Sequence, residues 1–306
     1  MQFADAATAW SWNPLADIRQ MWAFPFMVNA FRAGTIVAVL AGVVGWYMVL
    51  RRQSFAGHTL STVAFPGAAG ATLIGVGAVY GYFAFCVGAA LVVAAVPRIG
   101  HEAGGEETAV TGTVQAFLLA CGFLFVALYK GFLGGVNSLL FGSFLGITTT
   151  QVDVLAAVAV PVLLIVAAIG RPLLFASLDP AVAAARGVPV RPLSVVFLVL
   201  LGAATAATSQ ITGSLLVFAL MVMPAATAQN LTARPALSIA LSVTLAVLVT
   251  WTSLTIAYYS PYPIGFWVTT CAFACYLASW AVRLARGSLG RTRWYGADAR
   301  VPLEVS

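Results

Sequence analysis

Long apolar runs broken by short polar punctuation dominate this chain. Nine such runs are read as membrane spans: residues 30–50, 54–75, 78–96, 112–129, 151–169, 192–210, 213–230, 236–257 and 264–282. Runs of this length match a hydrocarbon core about 30 Å thick, which takes about 20 helical residues to cross. The predicted fold is therefore all-α and polytopic, with nine transmembrane helices. Eight is the fallback, because the sixth and seventh runs are separated by little more than Thr212 and Gly213. The Gly-rich stretch Gly131 to Gly146 is too broken to be a span and is read as a segment that re-enters the protein. Residues 1–22 form an N-terminal segment outside the membrane, 23–285 the transmembrane domain and 286–306 a basic tail.

Composition agrees with the pattern. Only 8% of residues are charged and 61% are hydrophobic, and mean hydropathy is +0.98. An ordinary soluble domain carries about 25% charged residues, so this chain lacks the polar surface to cover itself in water. The net charge of +6 does not point to nucleic acid, because the basic residues fall between spans rather than in a patch. With alternating crossings, 12 of the 15 basic residues collect on one side, including Arg51, Arg52, Arg98, Arg171, Arg186, Arg191, Arg234 and Arg283. Arg19, Arg32 and Lys130 fall on the other. The rich side reads as cytoplasmic, which puts the N-terminus outside and the C-terminus inside.

The second run opens on Arg51-Arg52-Gln53-Ser54-Phe55-Ala56-Gly57 and then carries His58 and Thr62. On a helix these two share a face, and His58 lies roughly 9 Å beyond Arg52. An ionisable side chain at such depth is a functional candidate. The bland alternative is a histidine hydrogen-bonded to a neighbouring helix. Pro66 interrupts the same run, and Pro224 bends or breaks the seventh. Interrupted spans border transport paths. The path residues expected on this reading are His58 with Thr62, then Ser61, Pro66, Met221, Met223 and Pro224. For the two methionines, core filling is the competing explanation. The cysteines Cys86, Cys121, Cys271 and Cys275 all lie in apolar runs and read as small buried hydrophobes; Cys271 and Cys275 are one turn apart, so a soft-metal pair is the alternative.

Between the fifth and sixth runs, Asp179 is a good N-cap, Pro180 suits the first helical position and Gly187 the position past the end. Arg186 favours the negative end of the helix. A short, self-capped cytoplasmic helix follows, with Ala183 and Ala184 giving it a small body suited to docking in a partner's groove. The alternative is a helix lying on lipid. A phosphate-binding loop needs Gly-Lys followed by Ser or Thr. The single lysine, Lys130, follows Tyr129, so any ATP site must be supplied by another subunit.

Taken together these residues resemble the permeases of zinc and manganese ABC importers, the type 3 ABC permease family. The likeness covers roughly residues 24–285. Phe26-Met27-Val28-Asn29-Ala30 opens the first span in the family's manner, and Arg51-Arg52 with Ser54-Phe55 and Gly57 is similar to its Leu-Arg-Arg-x-Ser-Phe-x-Gly motif. Leu140-Phe141-Gly142, Asp179-Pro180 through Gly187, and Gly213 through Ala228 with Pro224-Ala225-Ala226-Thr227-Ala228 complete the resemblance, which implies that Asp179, Pro180, Ala183, Ala184, Arg186 and Gly187 belong to the segment that couples to the ATPase. It implies a permease homodimer in a bacterial plasma membrane, two ATPase subunits carrying ATP and magnesium, and an extracellular binding protein. This chain would hold no cofactor, and the metal would be a transient cargo. The family's Asp-x-x-x-His is replaced here by His58-x-x-x-Thr62. Two rival readings remain: an ABC permease for a non-metal or chelated cargo, and a secondary transporter without an ATPase.

Overall fold

The structure, a computed structural model, describes residues 19–95, 103–129, 140, 142 and 146–298, with side chains of 103–110, 215 and 286–298 excepted. Among these, all extended regular structure is helical. In chain order the helices are α1 (Pro25–Leu50), α2 (Ser54–Leu73), α3 (Ala78–Ala95), α4 (Ala103–Leu128), α5 (Thr149–Leu178), α6 (Pro180–Ala185), α7 (Val190–Thr212), α8 (Ser214–Leu231), α9 (Pro235–Tyr259) and α10 (Ile264–Asp298). Each predicted run carries a helix. The basic residues Arg98, Arg300 and Lys130, the loop residue His101 and most of the Gly131–Gly146 stretch lie outside the described residues.

Several boundaries differ from the reading of the runs. The first helix starts at Pro25, where proline's missing N–H falls among donors a helix start leaves unpaired anyway. The fifth starts at a capping box: Thr148 Oγ1 accepts from the Gln151 N–H at 3.3 Å, and Gln151 Oε1 accepts from the Thr148 N–H at 2.9 Å. It then runs through Pro161, Arg171 and Pro172 to Leu178, well beyond the end of the run read as 151–169. Pro66 and Pro224 likewise sit inside continuous helices rather than breaking them. Packing on neighbours holds the helix across the lost bond. The last helix continues through Asp298, so the basic tail begins as helix.

Among the described residues, seven helices are long and apolar enough to cross a membrane: α1, α3, the Thr111–Leu128 part of α4, α5, α7, α9 and Ile264–Ala285 of α10. The helices α2 and α8 fall short, α8 with an apolar stretch of Leu216–Leu231. Their composition fits their place. Thr59, Leu60, Ser61, Val63, Ala64, Phe65 and Pro66 of α2 are all buried. A helix wrapped by protein need not be apolar toward lipid.

At the centre stands α1. Met27, Val37, Leu40 and Met48 have no exposed area, and polar side chains of two neighbours bond its backbone and indole. Trp46 Nε1 donates to Ser238 Oγ of α9 at 2.8 Å, Ser242 Oγ to the Gly42 carbonyl at 2.8 Å, and Gln229 Nε2 of α8 to the Trp46 carbonyl at 2.9 Å. Glycine makes the closest approach possible between α2 and α3. A Cβ added at Gly67 would overlap the Gly81 carbonyl, and one at Gly81 would overlap that of Gly67. Such small-residue contacts are how helices associate closely without a water-driven force between them. Gly213, at φ 75 and ψ 157, is the single residue between α7 and α8. That backbone region is essentially confined to glycine, and it lets two helices follow each other without a loop.

Candidate transport site and coupling helix

The turn of α2 that carries His58 also carries the polar groups expected around it. Ser61 Oγ and Thr62 Oγ1 both donate to the His58 carbonyl, at 2.8 and 2.9 Å. The imidazole itself lies edge-on to the Phe218 ring of α8, with centroids 4.9 Å apart at 68°. Its Nδ1 is buried and has no hydrogen-bond partner. A buried polar atom left unsatisfied costs about 1–3 kcal/mol and calls for an explanation; among the described residues the hydroxyls of Ser209, Ser214, Thr227 and Ser253 and the Trp267 indole N–H share that state, but His58 alone of these is a metal-ligating side chain.

A residue the sequence reading passed over completes this turn. Gln115 of α4 faces α2 and bridges two of its hydroxyls. Thr59 Oγ1 donates to Gln115 Oε1 at 2.9 Å, with the Phe55 carbonyl at 3.1 Å as alternative acceptor, and Gln115 Nε2 donates to Thr62 Oγ1 at 3.4 Å. The signal was available: an amide side chain within the apolar run 112–129 needs a polar partner somewhere. The Thr62 hydroxyl thus spends its proton on the His58 carbonyl and one lone pair on Gln115. One lone pair remains for any other ligand.

The other expected path residues scatter. Pro66, a turn further on, is buried against α4, where a Cβ added at Gly122 would come within 2.9 Å of its ring. Met221 is 1% exposed, and its sulfur lies 3.9 Å from Thr205 Oγ1 of α7, a hydroxyl that donates to the Leu201 carbonyl at 2.7 Å. Met223 is half-buried against the main core, and Pro224 is buried. Ser61 is buried as well. So His58, Ser61 and Thr62 form one cluster with Phe218 and Gln115, while Met221 is aimed at α7. Among the described residues no three of His, Cys, Asp and Glu gather as a metal site. Cys271 and Cys275 are half-buried at the core's edge.

The segment after α5 folds as its capping residues dictate. Asp179 Oδ1 accepts from the Val182 N–H at 3.0 Å, which satisfies one of the free donors at the start of α6. Gly187 takes φ +80 past its end, and the Val188 N–H returns to the Ala183 carbonyl at 3.0 Å. Ala183 faces inward with no exposed area. Ala183 thus packs α6 onto the bundle. Val182, Ala184, Ala185 and Arg186 form the outward face.

The profile of the ABC 3 transport family matches residues 23–283, the whole described bundle save its two ends. The chain belongs to the ABC 3 transport family. Its relatives include the "Manganese transport system membrane protein MntC" of Halalkalibacterium halodurans, 28% identical over 70% of this chain and 73% of that one. The "Chelated iron transport system membrane protein YfeC" of Yersinia pestis is 32% identical, covering 70% and 72%. Among solved structures, "PsaBC from Streptococcus pneumoniae in complex with Fab" superposes with a TM-score of 0.77 at 26% identity, over 87% of this chain and 94% of that one. As a member of this family the chain is a multi-pass permease subunit of an ABC importer. ATP hydrolysis in such an importer lies on a separate ATPase, and a binding protein delivers the cargo.

Proposed function

We propose that this permease imports a divalent transition metal, manganese or zinc, and that His58 is a ligand the ion meets on its way. The observation that carries the reading is the buried, unpartnered Nδ1 of His58 on a helix wrapped by protein. A cation that has shed water inside the bilayer needs lone pairs, and neutral imidazole suits such metals. Names of relatives that move manganese support the same cargo. Pro66, Pro224 and the methionines then belong to the walls of the path rather than to its ligands. The permease works as a homodimer, so two copies of His58 serve one ion.

In this reading all nine long helices cross, including α2 and α8, and the arginine-rich ends face the cytoplasm. Support comes from the way those ends meet: Arg51 at the end of α1 bonds residues at the end of α5 and the start of α7, and Arg283 Nη1 of α10 donates to Asn230 Oδ1 at the end of α8, at 3.1 Å. Reporter fusions after Arg186 are expected to read cytoplasm and those after Tyr259 to read outside. A cytoplasmic reading at Tyr259 would remove the nine-crossing arrangement.

A second cargo class has its own support. With a histidine and a hydroxyl where a carboxylate and a histidine are usual in the family, the site holds less charge for a bare ion, and one relative's name refers to chelated iron. Elemental analysis of cells lacking this gene, grown under starvation for each metal in turn, separates the two. A deficit of manganese or zinc supports the free-ion reading. No deficit in either, with loss of growth on a chelate, would replace it.

A further inference from the structure

Arg51 closes α1, and its guanidinium reaches at least four groups. Nη1 donates to Ser177 Oγ at 3.1 Å, Nη2 to Ser194 Oγ at 2.6 Å and Nε to Gln53 Oε1 at 3.3 Å. Its Cζ lies over the Phe197 ring, 5.4 Å from the centroid. Ser177 sits two residues before Asp179, which caps α6, and Ser194 lies in the first turn of α7. The two serines therefore bracket the short helix on both sides. Gln53 is the residue from which α2 begins. Ser177 is already set as an acceptor, because its own proton goes to the Leu173 carbonyl.

The joint between α1 and α2 is short and stiff. Arg52 adopts φ 57, a left-handed conformation that costs a residue with a Cβ roughly 1 kcal/mol. The Gln53 N–H returns to the Met48 carbonyl at 3.0 Å and closes the turn. From there His58 is five residues away along a continuous helix. A planar fork with donors in fixed directions holds two elements at once, which a lysine ammonium on a flexible stem does not do.

We infer that Arg51 is the positioning residue that passes movement of the α5–α6–α7 elbow to the start of the His58 helix. This rests on the reading of α6 as the place where the ATPase docks. A two-state element biased from both ends is what such a claim requires; Arg51 ties the elbow to the residue that starts α2, beside the direct packing of α7 on α2.

The test uses the full importer in lipid nanodiscs, with native cysteines replaced by serine and nitroxide labels on two pairs. Val182→Cys with Leu237→Cys reports α6 against α9; Phe55→Cys with Leu237→Cys reports α2 against α9. All three positions are exposed. Both distances are expected to shift on adding ATP in the otherwise unaltered protein. In Arg51→Lys, and in the Ser177→Ala, Ser194→Ala double variant, the α6 shift is expected to persist and the α2 shift to be lost. The double variant decides if the lysine protein does not insert. The inference is overturned if α2 shifts as before in the variants, if α2 never shifts, or if both shifts vanish together in the variants, which would mean a merely structural role. An α6 that does not move in the unaltered protein overturns the docking reading itself.

Discussion

An Ala184→Glu protein is expected to reach the membrane in normal amounts and to arrive without its ATPase. Ala184 lies on the outward face of α6, and only small side chains flank it there apart from Val182 and Arg186. A partner that fits such a face does so by shape, so a long charged side chain in the contact leaves either a gap or a buried charge. Losses of about 2 kcal/mol or more, roughly thirtyfold in affinity, are usual when the centre of an interface is disturbed. Co-purification of the ATPase with tagged permease reads this directly. The companion Ala183→Glu separates docking from folding. Ala183 has no exposed area, so a charge there is forced into the bundle and the permease itself should become scarce. If Ala184→Glu retains its ATPase and transports normally, α6 has no part in docking.

Loss of the His58 imidazole is expected to reduce metal uptake at least tenfold, roughly the scale on which a metal's protein partners act. His58→Ala removes the lone pair at Nδ1 and leaves the hydroxyls of Ser61 and Thr62 bonded to the backbone carbonyl as before. His58→Asp is expected to restore uptake with a changed preference among metals, because a carboxylate is a harder ligand. Thr62→Ala should matter less, since Gln115 and the His58 carbonyl already occupy most of that hydroxyl. If His58→Ala takes up each metal at the unaltered rate, the histidine is structural and the chelated-cargo reading moves to the front.

The helices were legible because lipid and buried protein both demand long apolar runs, and every run of the sequence carries one. Their ends were less legible, for local reasons. A proline at the first helical position and a Thr–Gln capping box start helices before the apolar runs begin, and α5 continues past Pro172 because packing holds it across the lost bond. The capping of α6 was fully visible, since Asp179, Pro180 and Gly187 act on their immediate neighbours. What lies across the bundle was not. The inward turn of Ala183, the Thr205 contact of Met221 and the bridge from Gln115 to α2 depend on how helices distant in sequence rotate against each other, and no periodicity within one helix encodes that. Arg51 shows both sides: as a charge it marked the end of a span, but its serine partners lie 126 and 143 residues away.

The mutual contact of Gly67 and Gly81 bears on what can move. Each glycine rests on the other's peptide carbonyl, with no side chain between them to bend or change rotamer. Sliding one helix along the other would drive backbone into backbone, so α2 and α3 travel as one rigid hairpin. The contact of α2 with α8 is of another kind, an imidazole edge against an aromatic ring, and rings tolerate a change of offset. Movement between α2 and α8 would then be a hinge of a helix pair against Phe218, with the slip plane beside His58.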